Sequence, residues 1–356
     1  MRLCRATWHD AGSPRKRLFR RASVVREAKL PLLAVEQAVR HFNIRGSGSA
    51  GAGLLRAVDG VSLSLNTGET LGIVGESGCG KSTLARMVVG LLPLTKGRIL
   101  VNGGDLWEAG AAGRERRHQC QMVFQNPAGS MNPRRTVGSS VAEPLHARGV
   151  RKTDEAVAHM LERVGLPAQF ASRMPHQLSG GQQQRASIAR SLIAKPALVV
   201  QDEAIASLDI SLQAQILNLL VELQEDMGTA YLFISHDLAA VQAISHRVIV
   251  MYLGEIVESA DTRDFAERPQ HPYSIALRAA TLTPDPVLER QRGEIALRGD
   301  VPSPMNPPSG CRFRTRCPMA QPMCAEQKPL LRSVGLGHRV ACHFVGPTST
   351  DGPLPC

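Results

Sequence analysis

The 356-residue chain has no run of eighteen apolar residues, so no segment is long enough to cross a membrane as a helix. None of its eight cysteines forms a C-x-x-C pair, which removes the spacing of a zinc ribbon. No apolar stretch follows the basic leader Arg15-Lys-Arg-Leu-Phe-Arg-Arg21, which argues against a secretory signal. A long coiled-coil insertion is missing too. Acids are few at the start: residues 1–30 hold nine Lys/Arg against two Asp/Glu, which is +7 of the formal +11. The +4 left for the rest is too small to read as a nucleic-acid footprint. The leader itself has three readings: a disordered arm on anionic lipid, a targeting peptide, or an extension upstream of the true start. A chain of this length can bury one large core and carry an appendage.

What is present is an ordered set of motifs. Gly75-Glu-Ser-Gly-Cys-Gly-Lys81-Ser82-Thr83 follows an apolar strand, Leu71 to Val74, and opens a helix expected over Ser82 to Leu92. Its glycines let backbone N–H groups close on phosphates, Lys81 reaches the outer phosphates, and the Ser82 hydroxyl suits magnesium. About a hundred residues later, Leu178-Ser-Gly-Gly-Gln182 opens a second helix, whose N-terminus carries free donors and partial positive charge. Ala197 to Glu203 is a buried strand ending in two carboxylates. Asp202 is placed to hold a metal, and Glu203 to orient or deprotonate an attacking water. Tyr231 to Asp237 is another apolar strand, ending at His236, which could contact a γ-phosphate. Gln125, in the loop Val123-Phe-Gln-Asn-Pro127, could sense the metal and the water.

Apolar strands at 71–74, 121–124, 197–201, 230–235 and 247–252 alternate with helical stretches, which predicts an α/β fold with a parallel sheet. Ala34 to Phe42 reads as a first strand, and the Gly-rich stretch Arg45 to Gly53 as a loose insertion. Leu212, Ile216, Leu220 and Leu223 keep helical spacing up to Gly228, a C-cap candidate, and are expected in the core. Residues 136–177 are helical in pattern.

In this order the motifs resemble the ATP-binding subunits of ABC transporters, over roughly residues 33–344. Phe124-Gln-Asn-Pro-Ala-Gly-Ser-Met-Asn-Pro133, Asp209-Ile-Ser-Leu-Gln-Ala-Gln215, Pro269-Gln-His-Pro-Tyr273 and the tail from Gly299 to Phe313 are similar to the oligopeptide/dipeptide importer branch. The resemblance implies a P-loop NTPase core with a parallel-rich sheet, a helical signature subdomain at about 136–192 and an antiparallel β lobe. It also implies a small Cys-containing C-terminal extension, with boundaries at 1–31, 32–285 and 286–356.

Residue by residue, it makes Gly75, Glu76, Ser77, Gly78, Cys79, Gly80, Lys81, Ser82 and Thr83 the Walker A loop. Ser179, Gly180, Gly181 and Gln182 become the signature, Asp202 and Glu203 the Walker B pair, Gln125 the Q-loop residue and His236 the switch histidine. Ser82, Gln125 and Asp202 would serve Mg2+, and Phe42 would stack on adenine. Ala206-Ser207-Leu208-Asp209 stands where the family usually has Ser-Ala-Leu-Asp, and Gln201 is more polar than the family's usual residue. Two ATPs would lie between two ATPase subunits, the second usually a paralogue. Two transmembrane permeases and an extracytoplasmic solute-binding protein complete the implied assembly, on the cytoplasmic face of a bacterial inner membrane.

Cys120 and Cys79 read as core and loop filler, and Cys4 and Cys356 lie near the ends. Cys311, Cys317, Cys324 and Cys342 are separated by five, six and seventeen residues. The resemblance implies a [4Fe-4S] cluster there; zinc or no ligand remain alternatives. Three functions stay open on the sequence. One is a peptide importer's ATPase, with nickel or glutathione as other cargoes of the branch. The others are a soluble ABC ATPase on nucleic acid or ribosomes, and a redox or metal sensor.

Overall fold

Leu71 and Ile73, Leu198 and Val200, Leu232 and Ile234 alternate with Val74, Val199, Tyr231 and Phe233, and both sets are buried. Successive side chains of a strand point to opposite faces, so segments apolar at every position must be covered on both. The computed structural model describes residues 30–44, 53–206, 208–280 and 299–346. The leader, the Gly-rich insertion up to residue 52, Ser207, Cys4, Cys356 and the expected 285/286 boundary lie outside them. By contacts the chain divides into Met1–Leu30 and Pro31–Cys356, and both sheets and their helices belong to the second unit.

Its strands are β1 (Leu33–Ile44), β2 (Gly53–Leu65), β3 (Thr70–Val74), β4 (Lys96–Val101), β5 (Gly104–Asp105) and β6 (Cys120–Val123). Then come β7 (Leu198–Asp202), β8 (Ala230–Ile234), β9 (Arg247–Tyr252), β10 (Glu255–Asp261), β11 (Arg332–Gly335) and β12 (His338–Val340). The larger sheet runs β11-β12-β10-β9-β3-β8-β7-β6, parallel from β9 to β6 and antiparallel beyond. A second, antiparallel sheet runs β2-β1-β4-β5.

One face of the large sheet, with Leu71, Ile73, Val200 and Ile234, packs on helix Lys81–Val88 and on Leu33, Val35 and Val61 of the second sheet. The other face takes Val199 and Phe233 against helices Gly180–Leu192, Ile210–Met227 and Leu238–Ile244, together with Phe313 from the tail. Each fully buried Leu, Ile or Phe contributes about 1.5–3 kcal/mol by leaving water. Residues 136–177 form helices Val137–Ala147 and Asp154–Arg163 and two short 3-10 turns.

Several boundaries differ from expectation. Helix Lys81–Val88 stops short of Leu92, because Gly90 turns left-handed at φ 76 and the Leu91 and Leu92 N–H groups fold back to the Arg86 carbonyl. Helix Ile210–Met227 does end at Gly228, left-handed at φ 66, and starts under the Asp209 carboxylate, which accepts from the Leu212 N–H at 2.9 Å. Ile216, Leu220 and Leu223 are core, whereas Leu212 is half-buried and lies against the place where a Cβ on Gly181 would stand. Among the described residues no helix is long and apolar enough to cross a membrane.

Candidate active site

The phosphate-type loop leaves β3 through a turn that only glycine tolerates at its pinch points. A Cβ on Gly75, at φ 150, would lie 2.3 Å from the Met251 carbonyl oxygen. On Gly80, at φ 106, it would lie 2.1 Å from that of Ala57. The buried Lys81 ammonium reaches back to donate to the carbonyls of Gly75 (2.7 Å) and Glu76 (2.9 Å). Cys79 is buried too, and burial pushes its thiol up despite the neighbouring Lys81 charge. Ser77 and Gly78 are exposed, and Thr83 is half-buried one residue beyond Ser82.

Strands β6, β7 and β8 are neighbours in the sheet, and the residues after their C-terminal ends meet. The Ser82 hydroxyl donates to Asp202 Oδ1 at 2.9 Å. Burial raises the Asp202 carboxyl and the adjacent Glu203 charge adds to it, against the lowering effect of the Ser82 hydrogen bond. Glu203 has left-handed backbone, φ 48, which is unusual for glutamate and is pinned by its N–H to the Ile234 carbonyl at 2.9 Å. Gln125 Nε2 donates to Glu203 Oε2 at 2.9 Å, and His236 Nδ1 stands 3.7 Å from Glu203 Oε1. Hydroxyl, carboxylate and amide oxygens from Ser82, Asp202 and Gln125 are a hard donor set that fits Mg2+. The raised carboxyl beside a second acid is what a cation would relieve.

The second motif caps its own helix. Ser179 Oγ accepts from the Gln182 N–H at 3.4 Å, and Gln182 Oε1 accepts from the Ser179 N–H at 3.0 Å, a reciprocal capping box. Ser179 and Gly180 are exposed, and beyond its own helix a Gly180 Cβ would have no neighbour within 4 Å among the described residues. Phe42 is half-buried on β1, with the Arg40 guanidinium 4.7 Å from its ring centroid.

Residues 58–206 match the family described as ABC transporter. The oligopeptide transport ATP-binding protein OppF of Salmonella typhimurium is 50% identical over 298 residues, 82% of this chain and 89% of its own length. The chain belongs to the ABC transporter ATP-binding family. Residues 257–324 match a second family, described as oligopeptide/dipeptide transporter, C-terminal region. The probable peptide ABC transporter ATP-binding protein y4tS of Sinorhizobium fredii is 48% identical over 325 residues, 89% of this chain and 91% of that one. Among solved structures, the dimeric ATP-binding cassette MJ0796 bound to ADP and Pi aligns with a TM-score of 0.57 at 27% identity, covering 65% of this chain and 99% of that one. This ABC ATPase hydrolyses ATP and couples that to transport.

The ABC ATPase carries its cysteine group beside this site. Burial raises the Cys311 thiol to about 11, and Cys324, Cys317 and Cys342 all add to the rise, so the four thiols are within electrostatic reach of one another. Among the described residues, however, no three His, Cys, Asp or Glu side chains are arranged to hold a metal ion.

Sequence reasoning missed what stands behind the Walker A loop. Tyr273 Oη accepts from the Glu76 N–H at 2.8 Å, and Arg316 Nη1 contacts both Glu76 carboxylate oxygens at 2.8 and 3.1 Å. The pattern Arg312-x-x-x-Arg316 between two cysteines was the only local sign of this.

Proposed function

We propose that this chain is the ATP-hydrolysing subunit of an importer for di- or oligopeptides. The observation that carries the cargo class is the match of residues 257–324 to the oligopeptide/dipeptide transporter C-terminal region. Relatives named for oligopeptide transport, OppF among them, support the same reading. In it, the backbone of Gly75 to Thr83 and Lys81 hold the phosphates, and Phe42 packs on adenine. Ser82, Asp202 and Gln125 would hold Mg2+, which would supply charge neutralisation to the phosphates.

Glu203 orients and deprotonates the attacking water while Gln125 and His236 hold its carboxylate in line. The exposed signature helix start, Ser179 to Gln182, serves a nucleotide bound by a second ATPase subunit, and the approach of the two subunits drives two permeases. An extracytoplasmic binding protein delivers the peptide, and this chain works as a peripheral subunit on the cytoplasmic face of a bacterial inner membrane. In the same reading residues 1–31 are a basic leader, 32–285 the ATPase region and 286–356 a C-terminal extension.

Affinity purification from detergent-solubilised membranes tests the assembly. Recovery of two polytopic permeases and a second ATPase supports it, and reconstituted complex should show ATPase activity stimulated by peptide-loaded binding protein. Recovery of ribosomes or DNA, or of this chain alone, overturns it. A [4Fe-4S] cluster on Cys311, Cys317, Cys324 and Cys342 is a separate reading that rests on the resemblance and on the mutual influence of the thiols. Anaerobically purified protein without iron, sulfide or visible absorbance ends it.

A further inference from the structure

Glu76 is held by three of its groups at once. Its N–H donates to Tyr273 Oη, its carbonyl accepts from Lys81 Nζ, and its carboxylate takes Arg316. Two of the three partners lie outside the Walker A loop. Tyr273 is on helix Pro272–Ala279, and Arg316 is 240 positions further along the chain. The Arg316 side chain is only 8% exposed and that of Glu76 28%, so the pair is shielded and stronger than a surface one.

Each partner is fixed in turn. Phe313 is buried against Tyr252, Tyr273 and His271, with ring centroids 5.3, 5.5 and 5.6 Å away. The His271 N–H that opens the Tyr273 helix donates to Glu258, and His338 on β12 meets the same buried carboxylate at 2.7 Å. A cavity of about 250 Å³ lies against the loop, lined by Glu76, Ser77, Gly78, Cys79, Tyr252 and Pro304 among others.

We infer that Arg316 and Tyr273 are positioning residues for ATP, through which the C-terminal region sets the affinity of the phosphate loop from behind. With Glu76 fixed, the loop's N–H groups and Lys81 are pre-organised, and nucleotide binding need not order a mobile segment. Released, the loop has the cavity to move into, and binding must first re-order it.

Arg312 provides the control. It also ties the tail down, to Asp59, to Glu255 and to the Leu253 carbonyl, yet it touches no residue of the loop. The test is titration of a fluorescent ATP analogue into full-length wild type, Arg316→Gln, Arg316→Lys and Arg312→Gln, with the melting temperature of each measured without nucleotide. Wild-type binding reports on the ATPase reading itself; only the differences between variants report on the brace. Arg316→Gln should bind roughly tenfold more weakly, Arg316→Lys should recover part of that, and Arg312→Gln should melt earlier while binding within about threefold of wild type. Equal affinity in Arg316→Gln and wild type overturns the inference. So does an Arg312→Gln loss as large as that of Arg316→Gln, since both would then only anchor the tail.

Discussion

Glu203 carries the sharpest chemical expectation at the scale of one residue. Its backbone is left-handed and its carboxylate lies between Gln125 and His236. Glu203→Gln keeps the shape and the Gln125 neighbour but removes the base. In the assembled complex it should bind ATP normally and turn it over about 10²–10³-fold more slowly, as read by single-turnover phosphate release. Wild-type turnover would remove Glu203 from the mechanism.

Gln201, one position before the acid pair, is fully buried with both amide atoms unpaired among the described residues. Its strand neighbours in register are Val123 and Phe233. Gln201→Met should therefore stabilise the chain by about 1 kcal/mol, seen as a higher denaturation midpoint with unchanged m-value.

Among the elements, the helix Gly180–Leu192 separates stability from activity. Ser179→Ala removes the cap and should cost about 1 kcal/mol of stability. A Cβ on Gly180 meets nothing among the described residues, so Gly180→Ala should match the wild-type stability to within about 0.5 kcal/mol. Because the proposed partner of that exposed helix start is a nucleotide on another subunit, the same substitution should suppress ATPase activity of the complex.

Legibility in the sequence follows element type. β3, β7, β8 and β9 are apolar runs buried on two faces and announce themselves. In the second sheet only β1 does, as Ala34 to Phe42; β2 pairs with it through repeated register shifts, one beside Gln37 at φ 45, and its burial is uneven. The hairpin β11-β12 is short and built around Leu336, fully exposed, so no hydrophobic pattern marks it. Motif residues could be placed because their spacing is local. Tyr273 and Arg316 could not, since their partner lies some two hundred positions away and the contact leaves no periodic trace.

For the whole molecule, acid sensitivity centres on the joint between the sheet and the tail. Burial lowers His271 from 6.5 to about 4, although buried Glu258 beside it acts the other way. The unfolded chain takes up this proton below about pH 6.5, whereas the folded chain refuses it until about pH 4. Stability from this group is thus complete above 6.5 and falls through that window, by up to about 3 kcal/mol. His271→Asn keeps an acceptor for the Tyr273 N–H, which now reaches His271 Nδ1 at 3.1 Å. The variant should flatten the decline between pH 7 and 4.5 in urea denaturation.

The ion pair between Glu76 and Arg316 also has a meaning in time. A ribosome adds Glu76 240 residues before it adds the arginine, an interval of about 10–50 s at ordinary elongation rates. For nearly all of that interval the nascent chain owns every phosphate-binding residue of its own loop but lacks the fastener behind it. On the brace inferred above, the loop reaches its full affinity for nucleotide only after Arg316 has been added and packed behind it.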